Sequence, residues 1–457
     1  MRSPIRWIIL LLVVPTSLGC GDRIPEGKQV LRYSFWGGYL EMNLWREMKR
    51  TFEEQNGDAV IKLEYAAGSD NPSNLVSRML AGRAADVMMV DDDGLPWLAS
   101  KGYLEPLDEL ITRDAEELGI DDFFPNALES AEYQGVHWAM PWDGFCEMVY
   151  ANLELFDAAG IPEPSPEWTW KEFAEIAGRL TIDRNGDGVP EQYGTFMLPI
   201  TMQSMKVFWA HGAEWMDPER TRITIDTPEA AEALDLLADL YFRKRCVAIM
   251  GELGYTVEEV MLFTDRVAMV ACPAYVMLNL RQLANERWDV FHMPRGPHGR
   301  AARQSYDCVG IYSKAPPEKK DLAWRWIKHI LSPESQRLIG RSGRALPVRA
   351  TDARESFVRP DTPQHEERLV EAMLEYGRIV PHMVATKAWR IEADAILNRY
   401  ASYLTNDWGK AVMQGRNAPQ AVPLGVSPDR WLSPERTVAL CQVKCQEKIG
   451  HFERRGY

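Results

Sequence analysis

Histidine is scarce in this chain, with eight residues scattered over 457. None stands in an H-E-x-x-H or paired Cys/His spacing, so the usual local signature of a zinc site is missing. No G-x-S-x-G elbow, P-loop or G-x-G-x-x-G is present, which removes the motif-level case for serine hydrolases, P-loop NTPases and dinucleotide-binding enzymes. Carboxylate pairs for glycoside hydrolysis come from distant positions, so the lack of a local motif argues only weakly against catalysis. Basic charge is also short, at 52 Lys+Arg against 66 Asp+Glu and a formal net charge of −14. An acidic surface of this kind disfavours nucleic acid or an anionic membrane as the main partner. The apolar run Trp7–Val14 is too short to cross a bilayer as a helix, and no repeat or low-complexity tract interrupts the chain.

What the N-terminus does carry is a targeting segment. Arg2 and Arg6 form a basic start, an apolar stretch follows, and Ser17-Leu18-Gly19-Cys20 places small residues before a cysteine. This looks like a lipoprotein signal (residues 1–19), with Cys20 lipidated and 20–27 as a tether. An ordinary cleavable signal is the rival reading, and either route takes the protein out of the cytosol. Several acyl chains would anchor it firmly, where a single chain binds only marginally. Removal of residues 1–19 takes Arg2 and Arg6 away, leaving 438 residues with 50 basic against 66 acidic side chains. That length exceeds one ordinary core and suits two lobes. Six further cysteines (Cys146, Cys246, Cys272, Cys308, Cys441 and Cys445) permit three disulfides in an exported chain or six buried thiols, and spacing alone does not choose. Cys441 and Cys445 share a face if their segment is helical.

Periodicity organises the first third. Gln29–Phe35 alternates as a strand, and Glu41–Gln55 repeats Leu44, Met48 and Phe52 at helical spacing. Ala59–Tyr65 is a strand, Asn74–Gly82 a helix, and Ala85–Val90 a short apolar strand ending at Asp91-Asp92-Asp93. This βαβ alternation predicts an α/β fold with a mainly parallel sheet flanked by helices. Ligand sites in such sheets lie beyond the carboxyl ends of the strands, which puts Trp36 to Tyr39 and Asp91 to Asp93 at one rim. A new helix opens at Thr169, whose hydroxyl and Glu172 form a capping box. The last segment, Glu435–Glu447, has the character of one helix.

The stretch Tyr133–Leu180 (YQGVHWAMPWDGFCEMVYANLELFDAAGIPEPSPEWTWKEFAEIAGRL) resembles the lobe-crossing region of extracellular solute-binding proteins that serve sugar ABC importers, of the maltose-binding-protein-like type. Three further blocks resemble that family in order and spacing: "SRMLAGRAADVMMVDDDGLPWLASKGYLEPLDELI", "FTDRVAMVACPAYVMLNLR" and "AWRWIKHILSPESQRLIGRSGRALPVR". Ala84-Ala85 and Asp265 depart from its usual proline and glycine. The resemblance implies a two-lobed periplasmic-binding-protein fold (type II-like) joined by a multi-strand hinge. Lobe one would hold 28–140 and 305–346, lobe two 141–304 and 347–415, with 416–457 a C-terminal extension. It implies a non-enzymatic, monomeric capture protein without cofactor, anchored outside the cytoplasm, that closes on a mono- or oligosaccharide and docks on permease subunits.

A pyranose offers an apolar face for aromatic stacking and a hydroxyl rim for carboxylates. The candidate ligand residues are therefore Trp36, Asp92, Trp142, Asp143, Trp209, Tyr275, Tyr306, Asp307 and Arg344, led by Trp36 and Trp142. Core packing is the ordinary alternative for each aromatic, and helix capping for the Asp91–Asp93 run. Asp183, Asn185 and Asp187 match the first half of a calcium loop, but Gly194 stands where the closing acid belongs. A solvated Asx turn is the favoured reading there, and no metal is expected. Two rival functions stay open: a secreted carbohydrate-active hydrolase or lyase, and a binding protein for a polyamine, peptide or phosphorylated polyol.

Overall fold

Alternating Leu31, Tyr33 and Phe35 are buried in β1 (Gln29–Trp36), and helix α1 (Tyr39–Gln55) lays Leu44, Trp45, Met48 and Phe52 on them. The computed structural model describes residues 27–66, 71–197, 201–248, 265–283, 287–359, 364–403 and 433–454. Ring pairs tie this layer together: Tyr33 meets Trp45 at 4.8 Å, and Phe52 meets Trp326 at 5.2 Å. Such pairs add about 0.5–1.5 kcal/mol each beyond the area they bury.

Strands β2 (Ala59–Ala66) and β3 (Val87–Asp91) flank β1 in parallel, as the βαβ spacing predicts. They belong to an eleven-stranded mixed sheet. Its centre is β4 (Met140–Asn152), which is buried along its whole length. The remaining strands are β5 (Tyr193–Phe196), β6 (Val247–Ala248), β7 (Val267–Pro273), β8 (Trp288–Phe291), β9 (Ala302–Ile311), β10 (Leu346–Pro347) and β11 (Gly377–Ile379).

Strand β4 changes partners along its length. Met140–Cys146 pairs with β9, and Glu147–Ala151 pairs with β7. Strand β9 does the same, running antiparallel to β3 from Asp307 onward while Ala302–Gln304 lies parallel to β11. Two long strands thus carry the sheet from a β1–β2–β3 half into a β5–β6–β7 half, the two-lobed arrangement expected. Pro141 has no amide to donate and sits opposite Cys308, next to the register shift between Asp307 and Cys308, where a missing donor does least harm.

Helix α2 (Leu95–Ser100) follows β3; α3 (Thr386–Tyr403) and α4 (Pro434–Arg454) pack together on the second half. The α4 helix is longer than its sequence pattern suggests and buries Val438, Cys441, Cys445 and Ile449. Gln446 and Gln442 accept the amides of Ile223 and Asp226, joining α4 to the second half. All six described cysteines are buried thiols, the second of the two readings left open by the spacing, and each fills a core position. Cys20 lies outside the described residues. No described helix is long and apolar enough to cross a membrane.

Candidate functional site

The carboxyl end of β1 makes a sharp turn into α1. Gly37 has φ 144°, and a Cβ there would lie 2.5 Å from the Glu41 side chain, so the close approach requires glycine. Glu41 reaches back to accept the Gly38 amide at 2.6 Å, and the Tyr65 hydroxyl donates to the Gly37 carbonyl at 2.7 Å. The turn leaves Trp36 half-buried and Tyr39 77% exposed. Beside it, after β3, Asp91 accepts the Gly94 amide at 2.8 Å and Asp92 accepts the Asp93 amide at 2.9 Å.

Strand register then assembles charge that no local motif announces. Asp91, Asp307 and Asp143 lie directly across from one another on the adjacent strands β3, β9 and β4. Arg344, from the loop before β10, turns its guanidinium into this row. It donates to Glu41 at 2.8 Å, to Asp307 at 3.1 Å, and to Asp143. Its Cζ also stands 5.1 Å from the Trp142 ring centre and 5.3 Å from that of Phe145, while Phe145 meets Tyr275 edge-on at 6.1 Å. Burial works against the Arg344 charge, but the three carboxylates outweigh it and hold the group well above its ordinary pKa. Burial pushes Asp143 well above the carboxylate range despite the pull of Arg344, and raises Asp307 likewise. Glu41 goes down, because Arg344 and the Gly38 amide overcome its partial burial. The result is a buried floor with more acceptors than its single cation can use.

A second ion cluster lies further along the same strands. Lys206 donates to Glu147 at 2.7 Å and Arg303 donates to the same carboxylate at 2.9 Å, all nearly sealed from solvent. A third joins the two halves: His382 lies between Asp92 and Asp93, and Arg390 of α3 pairs with Asp93. Among the described residues, Asp92, Asp93 and His382 form the only group of three donors close enough together for a metal, within 4.8 Å of one another. Asp93 already holds Arg390, and the two ring nitrogens of His382 face different carboxylates, an ion-pair arrangement rather than a coordination one. In the Asp183–Asp187 loop the oxygens are spent on backbone: Asp183 takes the amides of Gly186 and Gly188, each at 2.8 Å, and Asn185 takes that of Asp187 at 2.8 Å. That is the Asx turn favoured from sequence.

The structure sorts the sequence candidates. It gathers Asp143, Asp307 and Arg344 with Trp142 and, through Phe145, Tyr275; Trp36 and Asp92 stand at the ends of β1 and β3. Trp142 and Tyr306 are core residues here, corrections to their expected place on an open rim. Trp142 has no exposed surface and packs on Trp45 at 4.7 Å. Tyr306 presses on Gly144, where an added Cβ would come within 2.9 Å of its ring. Trp209 belongs elsewhere: it is buried, with Arg378 4.8 Å above its ring. It lines a cavity of about 630 Å³ with Glu129, Glu214, Arg220 and Pro381, none of them part of the Arg344 floor. Sequence reasoning missed Glu41, Phe145 and His382. The strand-end rule had put Tyr39 at the rim, whereas these three are functional candidates only through tertiary pairing.

Comparison with known proteins gives a consistent picture. Residues 40–337 match the family described as bacterial extracellular solute-binding protein. The mannitol-binding protein of Pseudomonas aeruginosa is 24% identical over 208 residues, 43% of this chain and 44% of that protein. The sn-glycerol-3-phosphate-binding periplasmic protein of Escherichia coli O1:K1 is 19% identical over 310 residues, 66% of this chain and 69% of that one. Among solved structures, an ABC substrate-binding protein from Listeria monocytogenes in complex with cycloalternan superposes with a TM-score of 0.74 at 19% identity, covering 93% of this chain and 99% of that chain.

Proposed function

Since this chain belongs to the bacterial extracellular solute-binding protein family, we propose that it captures a mono- or oligosaccharide between its lobes and delivers it unaltered to ABC permease subunits. The observation that carries this reading is the meeting of aromatic faces with a buried acceptor floor. Tyr275, 44% exposed, reaches the Asp143–Asp307–Arg344 floor through Phe145, and partly exposed Trp36 ends β1 shortly before Glu41, which takes the Arg344 guanidinium. Aromatic rings take the apolar face of a sugar, and Asp92, Asp307 and Glu41 take its hydroxyls. Tyr39 joins this set from the β1–α1 turn.

An anionic solute such as a phosphorylated polyol is less well served, because Arg344, Arg303 and Arg390 are each already engaged by carboxylates. Binding shifts an open–closed equilibrium only through preference for the closed form. We place the lobe crossings in β4 near Pro141 and in β9 near Gln304–Ser305. The third lies beyond Leu346–Pro347, because helix Ala350–Ser356 still packs on Pro333–Ser342, with Arg337 bonded to Asp352 at 3.0 Å. Lipidation at Cys20 would hold the protein at the membrane; acyl labelling of the wild type against Cys20→Ala tests that anchor.

The main test is a thermal-shift and calorimetry panel of sugars, polyols, polyamines and peptides, with chromatography of the recovered solute. One saccharide should raise the melting temperature and come back chemically intact. A hydrolysed or eliminated product would establish the enzymatic rival, and a response confined to polyamines or peptides would replace the sugar reading.

A further inference from the structure

Asp92 and Asp93 occupy the turn between β3 and α2, in the half built on β1, β2 and β3. His382 precedes α3 and Arg390 lies on it, and α3 packs against α4 in the other half. The four side chains meet across the boundary. His382 Nε2 is 3.4 Å from Asp92 Oδ2, Nδ1 is 3.2 Å from Asp93 Oδ1, and Arg390 Nη1 donates to Asp93 Oδ1 at 2.6 Å. His382 is only 7% exposed. Both contacts are ion-pair distances, and neither ring nitrogen makes a hydrogen bond here, so the attraction is coulombic: an imidazolium is held by both carboxylates, whereas a neutral ring gives neither of them a countercharge.

We infer that His382, held between Asp92 and Asp93 and braced by Arg390, is a proton-operated latch between the two lobes, engaged when the ring is charged.

This rests on the reading of two lobes that open and close. Burial alone would lower the pKa of His382; the two carboxylates outweigh it and raise the group to about 9. Other charged groups lie nearby. Asp92 also acts on Arg303 and Asp307 of β9, and the cavity beside His382 is edged by Glu132, Glu219, Arg220 and Glu453. Opening would release the ring to solvent, where an imidazole titrates near ~6.5. A group raised on closure contributes fully below the open-state value, and its contribution is lost as pH rises through the closed-state value. The latch is therefore complete below about pH 6.5, takes up a proton on closing between about 6.5 and 9, and is lost above that. Across this window the closed-to-open ratio should fall by up to about tenfold per pH unit.

The test needs no solute. The radius of gyration of ligand-free protein, followed by solution scattering from pH 6 to 10, should rise with pH in the wild type. It should stay high throughout in His382→Gln and low throughout in His382→Lys, which keeps a cation. A histidine NMR titration, with the His382 signal identified by its loss in His382→Gln, should give a midpoint near 9 in the wild type. An unaltered scattering profile in both variants, or a His382 midpoint at or below 6.5, would overturn the latch. Should either variant fail to fold, the wild-type scattering profile decides alone, and a radius of gyration constant from pH 6 to 10 would overturn the latch. A negative solute panel leaves that scattering profile unaffected, so the two readings fail separately.

Discussion

At the scale of single residues, the weight of a tryptophan depends on which way its strand turns it. Trp142 was a prime ligand candidate by position, yet β4 drives it into the ring cluster around Trp45. Its loss should appear first as instability: Trp142→Ala should cost about 3–5 kcal/mol, the usual price of deleting a buried aromatic, read from the denaturant midpoint. Tyr275→Ala should behave oppositely, leaving that midpoint near the wild-type value while weakening saccharide binding more than tenfold by calorimetry. Full affinity in Tyr275→Ala would remove that ring from the site. Arg344 makes a sharper case, since three carboxylates depend on one cation. Arg344→Met should destabilise by roughly 3–5 kcal/mol at neutral pH, the cost of stranding buried charge. The penalty should shrink as pH falls, because Asp143 and Asp307 are already raised and a protonated carboxyl no longer repels its neighbours. An equal penalty at pH 4.5 and 7.5 would mean that Arg344 acts by packing alone.

At the scale of elements, local rules held where the chemistry is local. The Thr169 capping box forms as its residues predict: Thr169 accepts the Glu172 amide at 3.2 Å, and Glu172 accepts the Thr169 amide at 2.7 Å. Strands β1, β2 and β3 lie within two residues of their predicted bounds, because their apolar patterns mark them directly. The helix after β2 begins at Asn71 and ends at Leu80, earlier at both ends than its apolar spacing indicated. For α4, the four-residue spacing of Cys441 and Cys445 correctly put both on one face, but only tertiary contact showed that this face is covered. Cys445 donates to the Trp389 carbonyl at 3.5 Å, and burial pushes its thiol up to about 12. Cys246 rises to about 12 for the same reason. All six described thiols should therefore resist a thiol reagent in the native protein at pH 8 and react together in denaturant, because only thiolate attacks. A rapidly titrating native thiol among these six would contradict the packing of its element.

For the whole molecule, function depends on two halves sharing two long strands. A solute bound only by the closed form should stabilise the protein by about 2.7 kcal/mol at a hundred times its dissociation constant. Trp36→Ala should lose most of that gain and cost the free protein less than Trp142→Ala, because Trp36 packs against the core but keeps part of its surface exposed. A panel in which no solute shifts the melting temperature would leave the cleft without a ligand.

The sequence by itself determined the class of architecture, the local cap at Thr169 and the Asx turn at Asp183, each encoded in nearby residues or a short repeating pattern. It also carried enough ordered blocks to resemble the right family. Which aromatics face solvent, which carboxylates converge on Arg344 and which charges meet across the lobes were decided only by tertiary structure. Those contacts join positions such as Glu41 and Arg344, or Asp92 and His382, roughly three hundred residues apart. Strand register brings them together, and no periodicity along the chain records it.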